Sequence, residues 1–410
     1  MKIAILGLRG IPATWGGVER HVEELAVRFV RMGHDVTVYC RSYYCKDYPD
    51  NVYQGVKLKK LPAINTTSLD AVSQTILATA HVIPRNYDII HYHSSGKAMF
   101  ALFPRIFGKR CVSTIHGAEW QREKWGPGAR AVLKIAEWLA VCSPHAAISV
   151  SKTLKAELEK KYHRRVRYIP SAVNDPVFRR PDKIREFGLS EKDYILFVAR
   201  LVPEKGLHFL IDAYNRLDTN LKLVVAGGPH HSEQYVEELK QRANKNVVFA
   251  GYQYGETLQE LYTNAYCYVQ PSTTEGLSVT LLEAVIYGNC IITSDIPPNV
   301  EVVNENAVIF ESKNVDALEA ALRRVITDPE FARKLGRKAQ AMGAAEYNYD
   351  SIAAKTIQLY EWVLQGKWSS SLKVPEPDSS DPAAARGATP SPQAREGTAA
   401  PDGTIGEHVS

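Results

Sequence analysis

The six cysteines of this 410-residue chain, Cys40, Cys45, Cys111, Cys142, Cys267 and Cys290, form no CxxC pair and no Cys/His run at metal-ligand spacing. Most lie in apolar stretches. They read as reduced core thiols of a cytosolic protein, not as a disulfide frame or a zinc site. No uninterrupted apolar run approaches the ~20 residues that a membrane span needs. The run in MKIAILGLRG is too short for a signal peptide and is broken by Arg9, so it predicts a first strand. There is no GxGxxG, which disfavours a nicotinamide dehydrogenase. There is also no DxD, which removes the obvious carboxylate pair for a metal-bound diphosphate.

What the chain has instead is alternation. An apolar strand over Lys2–Leu8 leads through a Gly/Pro-rich turn to an amphipathic helix over Val18–Met32, with Val22, Leu25, Ala26, Phe29 and Val30 on one face. A strand over Asp35–Cys40 completes a parallel βαβ unit. Strands are then predicted at Val56–Leu61, Asp88–His93, Cys111–Ile115, Ala146–Ser149 and Val166–Ile169, with helices between them. Pro170 to Pro181 reads as a connection. A second series places strands at Tyr194–Ala199, Leu221–Ala226, Val247–Ala250, Tyr266–Val269, Cys290–Thr293 and Ala307–Phe310. The pattern predicts an α/β protein of two Rossmann-like parallel-sheet units, 1–172 and 173–345, and a last amphipathic helix over Tyr349–Leu364. The Pro, Ala, Ser, Gly and Thr-rich stretch 367–410 is expected to be disordered.

The informative stretch is Gln270–Ala284, QPSTTEGLSVTLLEA. A strand ends before Pro271, and a helical apolar stripe begins at Val279. Glu275 therefore lies on a strand-to-helix loop and Glu283 one to two turns into the helix, roughly 10 Å away along the axis. That separation suits two carboxylates holding two diols of one long ligand. The helix N-terminus between them favours an anion. Diol, phosphate, diol is the order of a nucleotide-sugar. By itself the stretch fits equally well a loop Glu and an exposed helix Glu with no shared ligand.

Other residues add to this pattern. Arg200 and Lys205 share the loop RLVPEKG after a strand, where ligands of open α/β sheets bind, and could neutralise a pyrophosphate; a solvated basic loop is the plainer account. Gly16-Gly17 lets backbone approach a phosphate. His116 follows a strand end in STIHG, as a turn histidine or as a cleft residue. His91 and His93 face one side of a strand, with one expected to be packed and the other near the cleft. Lys97 to Arg110 mixes aromatics with Lys97, Arg105, Lys109 and Arg110, and reads as a core helix with basic ends in preference to a membrane contact. Charge is uneven: residues 1–170 carry 26 Lys and Arg against 13 Asp and Glu, the remainder 24 against 32. The basic first part suggests an anionic partner or membrane surface, unless it is unpatterned surface composition.

With GGVERHVEELAVRFVRMGHDVTV, STIHG, RLVPEKG, AGGP and EGLSVTLLE in this order, residues 1–366 resemble a family-4 retaining glycosyltransferase of GT-B fold. The last motif resembles the family's E-x7-E. The resemblance implies two Rossmann-like domains facing across a cleft. The first would bind the acceptor, the second the nucleotide-sugar, and a helix over 346–366 would cross back onto the first. It puts Arg200 and Lys205 on the diphosphate, Glu275 on the donor hexose, Glu283 on the ribose, and His116 beside the donor sugar. Gly16, Gly17, Gly227, Leu277 and Ser278 would complete the donor site. Transfer would need no metal and no cofactor beyond the nucleotide diphosphate-sugar. The segment Gly117–Trp125 further resembles bacterial enzymes of surface-polysaccharide synthesis, often described as rhamnosyltransferases. Leu277-Ser278 stands where many members have Phe-Gly, and SDIPPNVEV where many have a glycine pair, so the donor sugar pocket departs from the common pattern. Expected partners are the donor and a polysaccharide, lipid-linked or small-molecule acceptor, without nucleic acid. The expected location is the cytoplasm, with peripheral contact at the inner membrane face. A sugar-nucleotide epimerase and a non-catalytic nucleotide-sugar-binding subunit share the same phosphate grip and are the alternatives.

Overall fold

A computed structural model describes residues 1–14, 16–46, 48–64, 70–121, 125–229 and 233–368. The expected disorder of the C-terminal stretch falls, from residue 369 on, outside these residues, as do 122–124 of the Gly117–Trp125 segment. In the first half the elements are β1 (Lys2–Leu6), α1 (Gly17–Arg31), β2 (Asp35–Arg41), β3 (Val52–Tyr53), β4 (Val56–Leu61), α2 (Asp70–Val82), β5 (Ile89–His93), α3 (Ser95–Ala98), α4 (Leu102–Ile106), β6 (Cys111–Ile115), α5 (Pro127–Cys142), β7 (Ala146–Ser149), α6 (Lys152–Tyr162) and β8 (Val166–Tyr168). In the second they are β9 (Tyr194–Val198), α7 (Leu207–Tyr214), β10 (Lys222–Ala226), α8 (Glu233–Arg242), β11 (Val247–Gly251), α9 (Gly255–Asn264), β12 (Cys267–Gln270), α10 (Val279–Ile286), β13 (Cys290–Ser294), α11 (Pro297–Val303), β14 (Val308–Phe310), α12 (Val315–Thr327), α13 (Pro329–Glu346) and α14 (Tyr349–Leu364).

Two sheets result. The first runs β3-β4-β2-β1-β5-β6-β7-β8, parallel except for the short β3. The second runs β11-β10-β9-β12-β13-β14. In each sheet the order reverses beside the first strand, between β1 and β5 and between β9 and β12, and ligands of such sheets bind outside the carboxyl ends at that point. The loops after β9 and β12 are thereby neighbours, which is what the candidate residues require.

The helix α14 leaves the second unit and buries Ile352, Ala353, Ile357, Tyr360 and Val363 in a core shared with α1 and the first sheet. It is amphipathic over its whole length and is capped by Asn348, whose side chain accepts from the Asp350 and Ser351 amides. The boundary expected at 366 falls two residues early: Trp368 is buried in the same core, under the guanidinium of Arg165 at 4.0 Å from the ring centroid. The two chain crossings between the units lie side by side, since Val173 N–H donates to Tyr347 O at 3.2 Å. Such a paired crossing is suited to a hinge.

The segment 97–110 departs from expectation. It is not one helix but α3, a 3₁₀ turn and α4, because Pro104 cannot extend an incoming helix through its missing N–H. It is also not wholly core: Phe103, Ile106 and Phe107 face outward. The two-residue β3, the 3₁₀ turn Lys183–Phe187 and α11 carry too few residues for periodicity to reveal them.

Candidate active site

The loops after β9 and β12 are stapled together. Thr273 N–H donates to Glu204 O at 2.9 Å. Gly206 has φ +70, and a Cβ there would lie 2.0 Å from Pro271 O, so only glycine allows the approach. The staple brings Lys205 Nζ to 2.5 Å from Glu275 Oε1. The same oxygen accepts from Gln270 Nε2 at 2.8 Å and Ser272 Oγ at 2.7 Å. Three donors thus orient the carboxylate through Oε1, while Oε2 takes no hydrogen bond among the described residues. Sequence reasoning assigned Lys205 to phosphate and Glu275 to sugar. The structure pairs them, and the signal for the two orienting donors, Gln270 and Ser272, lay unread in the same stretch.

Glu283 lies on α10, where its Oε2 accepts from Tyr262 OH at 3.0 Å. Burial raises its pKa, while the Tyr262 bond and the charge of Arg20 on α1 work the other way. Arg20 belongs to the first unit, so α1 and α10 approach each other across the cleft. Their first residues meet: a Cβ on Gly17 would stand 3.5 Å from Val279 Cγ2. Gly16 caps α1 and Ser278 caps α10, its hydroxyl accepting from Leu281 N–H. Two helix N-termini, with their unpaired N–H groups and positive dipole ends, therefore converge beside Glu275. Leu277 packs against the second core and Ser278 is buried, leaving backbone as what this loop can present.

His116 enters from β6. A Cβ on Gly276 would lie 2.0 Å from His116 O and 3.0 Å from Gly117 Cα, so the loop of Glu275 rests directly on the loop of His116. His93, at the end of β5, places Nδ1 3.0 Å from His116 Nε2. His91 is held between Tyr360 OH at 2.6 Å and Thr114 Oγ1 at 2.8 Å. Of the two strand histidines, then, His91 is the packed one and His93 the one that reaches the cleft residue. His21 of α1 completes the cluster, 5.9 Å from His116 between ring centroids, with Nδ1 buried and unbonded. Burial lowers His21 to about 4 and His91 to about 3, and pushes His93 and His116 well down. The rings are neutral near pH 7. A neutral His116 bonded through Nε2 keeps Nδ1 for a ligand, since no described residue bonds to it. Lys97 is half-buried near this cluster, its Nζ donating to Gly7 O at 2.5 Å.

Arg200 is half-buried at the mouth of the β9 loop, near enough to Tyr252 to act on its phenol. Gly227, expected in the donor site, has a clear local duty: a Cβ would lie 1.8 Å from Ala199 O, so glycine lets the β9 and β10 loops touch. The loops of Lys205, Glu275 and His116 and the helix starts at Gly17 and Val279 thus come together from both units, whereas Arg200 and Gly227 are placed only by contacts at the β9 and β10 loops. Among the described residues no group of three or more His, Cys, Asp or Glu could hold a metal ion.

Residues 15–175 match the family model described as Glycosyltransferase Family 4, and residues 179–342 the one described as Glycosyl transferases group 1. An uncharacterized glycosyltransferase of Methanocaldococcus jannaschii is 28% identical over 389 residues, covering 89% of this chain and 99% of that protein. The glycogen synthase of Mycobacterium tuberculosis is 27% identical over 408 residues, covering 92% and 98%. Among solved structures, the sucrose-phosphate synthase of Thermosynechococcus elongatus superposes with a TM-score of 0.78 at 21% identity, covering 89% of this chain and 99% of that one. Anabaena HepE in complex with UDP and glucose gives 0.73 at 18%, covering 88% and 99%.

Proposed function

The chain belongs to the family-4, group 1 glycosyltransferases of GT-B fold, and from that premise we propose that it moves a hexose or deoxyhexose from a nucleotide diphosphate-sugar to an acceptor hydroxyl with retention of configuration. The observation that carries the reading is the junction of Glu275, with one carboxylate oxygen unclaimed, against the His116 loop, beside two facing helix N-termini. The donor diphosphate lies on those N-termini and on Arg200 and Lys205. They stabilise the charge that grows on the leaving group, as fixed dipoles and cations do in a site closed to water. No divalent metal is needed where these groups carry that charge.

Glu275 Oε2 accepts from hydroxyls of the donor sugar, and Glu283 from the ribose. Lys205, Gln270 and Ser272 hold Glu275 in place for that contact. Neutral His116 contacts the donor sugar on the acceptor side. No side chain stands out as a covalent nucleophile. Retention then follows from attack on the face the diphosphate leaves, with the departing phosphate taking the acceptor proton, so the new glycosidic bond forms as the bond to phosphate breaks. The acceptor enters from the first unit. Its basic character favours an anionic or lipid-linked acceptor in cell-surface polysaccharide or glycolipid synthesis at the inner face of a membrane.

The test is product stereochemistry. A donor and acceptor pair that turns over is followed by proton NMR at the anomeric centre, with and without EDTA. Retention that survives EDTA supports the reading; an inverted product contradicts it. An altered sugar-nucleotide formed without acceptor points to an epimerase.

A further inference from the structure

The segment SDIPPNVEV, where the common family pattern has a glycine pair, grips the first unit. It runs into α11, and the carboxylate of Glu301 on that helix reaches across to the start of α6. Glu301 Oε1 accepts from Lys152 N–H at 2.6 Å, and Oε2 accepts from Thr153 N–H at 3.0 Å and Thr153 Oγ1 at 3.2 Å. The next amide, that of Leu154, donates to Ser151 Oγ at 3.1 Å. The first three amides of α6 therefore have acceptors, and for two of them the acceptor belongs to the other unit. A helix leaves its leading N–H groups without intrahelical partners, and a carboxylate there meets both those hydrogens and the positive end of the dipole. Parting of the units breaks all three bonds of Glu301 at once.

The inner side of α11 is tied to the donor carboxylate. Asn299 donates from Nδ2 to Ser294 Oγ at 3.0 Å. Ser294 Oγ donates to Ser272 O at 2.6 Å, and Ser272 Oγ donates to Glu275 Oε1 at 2.7 Å. Thr293 ties the neighbouring turn in the same way, donating to Gln270 O at 3.1 Å. Gln270 and Ser272 are the two residues that orient Glu275 beside Lys205, so the end of β13 holds both. Each hydroxyl has one proton to give, and along this route every proton has one acceptor. Asn299, Ser294, Thr293, Ser272 and Gln270 are all closed to solvent, and Val302 and Val303 fix α11 in the second core. A dry, close-packed chain of bonds of this kind transmits a shift at one end to the other.

We propose that Glu301 and Asn299 are positioning residues, through which the contact between the two units sets the donor carboxylate. While α6 holds Glu301, α11 is seated, Ser294 keeps Ser272 in place, and Glu275 turns Oε2 to the donor sugar. When the units part about the crossing of Val173 and Tyr347, α11 loses its outer anchor and Glu275 is held less tightly. Full grip on the sugar is thereby reserved for the closed arrangement, in which Gly276 also rests on His116. This deepens the transfer reading and rests on it for the role of Glu275; the link from α6 to the loop of Ser272 stands on the contacts alone.

The experiment is amide hydrogen exchange of the full chain without ligand, read at Lys152 and Thr153 and at Thr273, whose N–H donates to Glu204 O. The natural sequence is compared with Glu301→Gln, Glu301→Ala and Asn299→Ala. In Glu301→Ala exchange should quicken at least about fivefold at both places, and Glu301→Gln, which keeps an accepting oxygen, should fall between. Asn299→Ala cuts the route in the middle, so Thr273 should quicken while Lys152 and Thr153 stay as they are. In the assay of product stereochemistry, Glu301→Ala should lower kcat about tenfold with donor KM little changed. Faster exchange in Glu301→Ala at Lys152 and Thr153 alone, or an unchanged kcat, would make Glu301 a helix cap and nothing more, and overturns the proposal. So does natural exchange at Thr273 in Asn299→Ala. If Asn299→Ala does not fold, Ser294→Ala, which removes a single hydroxyl, takes its place with the same expected pattern. The expected exchange pattern together with no turnover of any nucleotide-sugar by the natural chain would count against the transfer reading alone.

Discussion

Gly276 rests on the carbonyl of His116, so close that a Cβ would stand 2.0 Å from the oxygen, and this contact joins the two halves of the molecule at the candidate site. The neighbour on one side is backbone, not a flexible side chain, so it cannot step aside. Gly276→Ala should hold the loop of Glu275 off the loop of His116. Turnover should fall by about a hundredfold, the loss a displacement near 1 Å can cause, with donor affinity and thermal stability little changed. Steady-state kinetics and thermal unfolding check this; normal turnover would mean that the contact is not part of the working state.

Glu275→Gln keeps the shape of the side chain and removes its charge. Lys205 then loses its partner at 2.5 Å, and the carboxylate oxygen left for a ligand becomes an amide atom. Turnover should drop by roughly 10²- to 10³-fold, the range seen when one preorganised polar group is lost from a reacting centre. Lys205→Met should reduce turnover too, and the double variant should lose less than the product of the two single losses, because the residues act as a pair. Independent effects in that double-mutant cycle would separate Lys205 from Glu275.

His93 should act through His116. Its Nδ1 lies 3.0 Å from His116 Nε2 and fixes which nitrogen of His116 faces the cleft. His93→Phe keeps a ring and loses this bond. The expected result is about a tenfold lower kcat with donor KM little changed and a shifted acid limb of the pH–rate profile. An unchanged profile would reduce His93 to packing.

The buried histidines make stability depend on pH in a direction that can be stated. His21 and His91 are lowered to about 4 and about 3, and His93 and His116 are also pushed down, all chiefly by burial. The unfolded chain takes up these protons first, near the ordinary value of ~6.5. Stability is therefore full above that value and drains as pH falls toward the folded values. His21, His91 and His93 together allow a slope of up to about 4 kcal/mol per pH unit in that window. Urea midpoints measured from pH 7.5 to 5 should fall steeply, and less steeply in His21→Phe. Equal slopes for the two proteins would contradict the burial of a neutral His21.

Much of this was legible in the sequence, for physical reasons. The alternating strands and helices carried their own periodicity, and Val56–Leu61, Cys111–Ile115, Ala146–Ser149 and Tyr349–Leu364 were expected at the bounds they have. Glu275, Arg200 and Lys205 could be put on neighbouring loops because loops after adjacent strands must meet at a sheet's switch point. The Lys205–Glu275 pair and the His93–His116 contact could not, since each depends on side-chain directions across two loops. Nor could the outward turn of Ile106 and Phe107: periodicity reports that a helix has an apolar face and is silent on which way it points.

The measurement closest to the central claim is a donor screen. UDP-, GDP-, ADP- and dTDP-sugars are offered with and without EDTA, and both the thermal shift and slow hydrolysis are recorded for the natural chain and for Arg200→Ala. The account predicts that one donor raises the melting temperature and is hydrolysed despite EDTA, and that Arg200→Ala loses both effects. If no nucleotide-sugar binds, or if the variant binds and hydrolyses the donor as the natural chain does, the site built on Glu275, Lys205 and the facing helix N-termini is not a donor site.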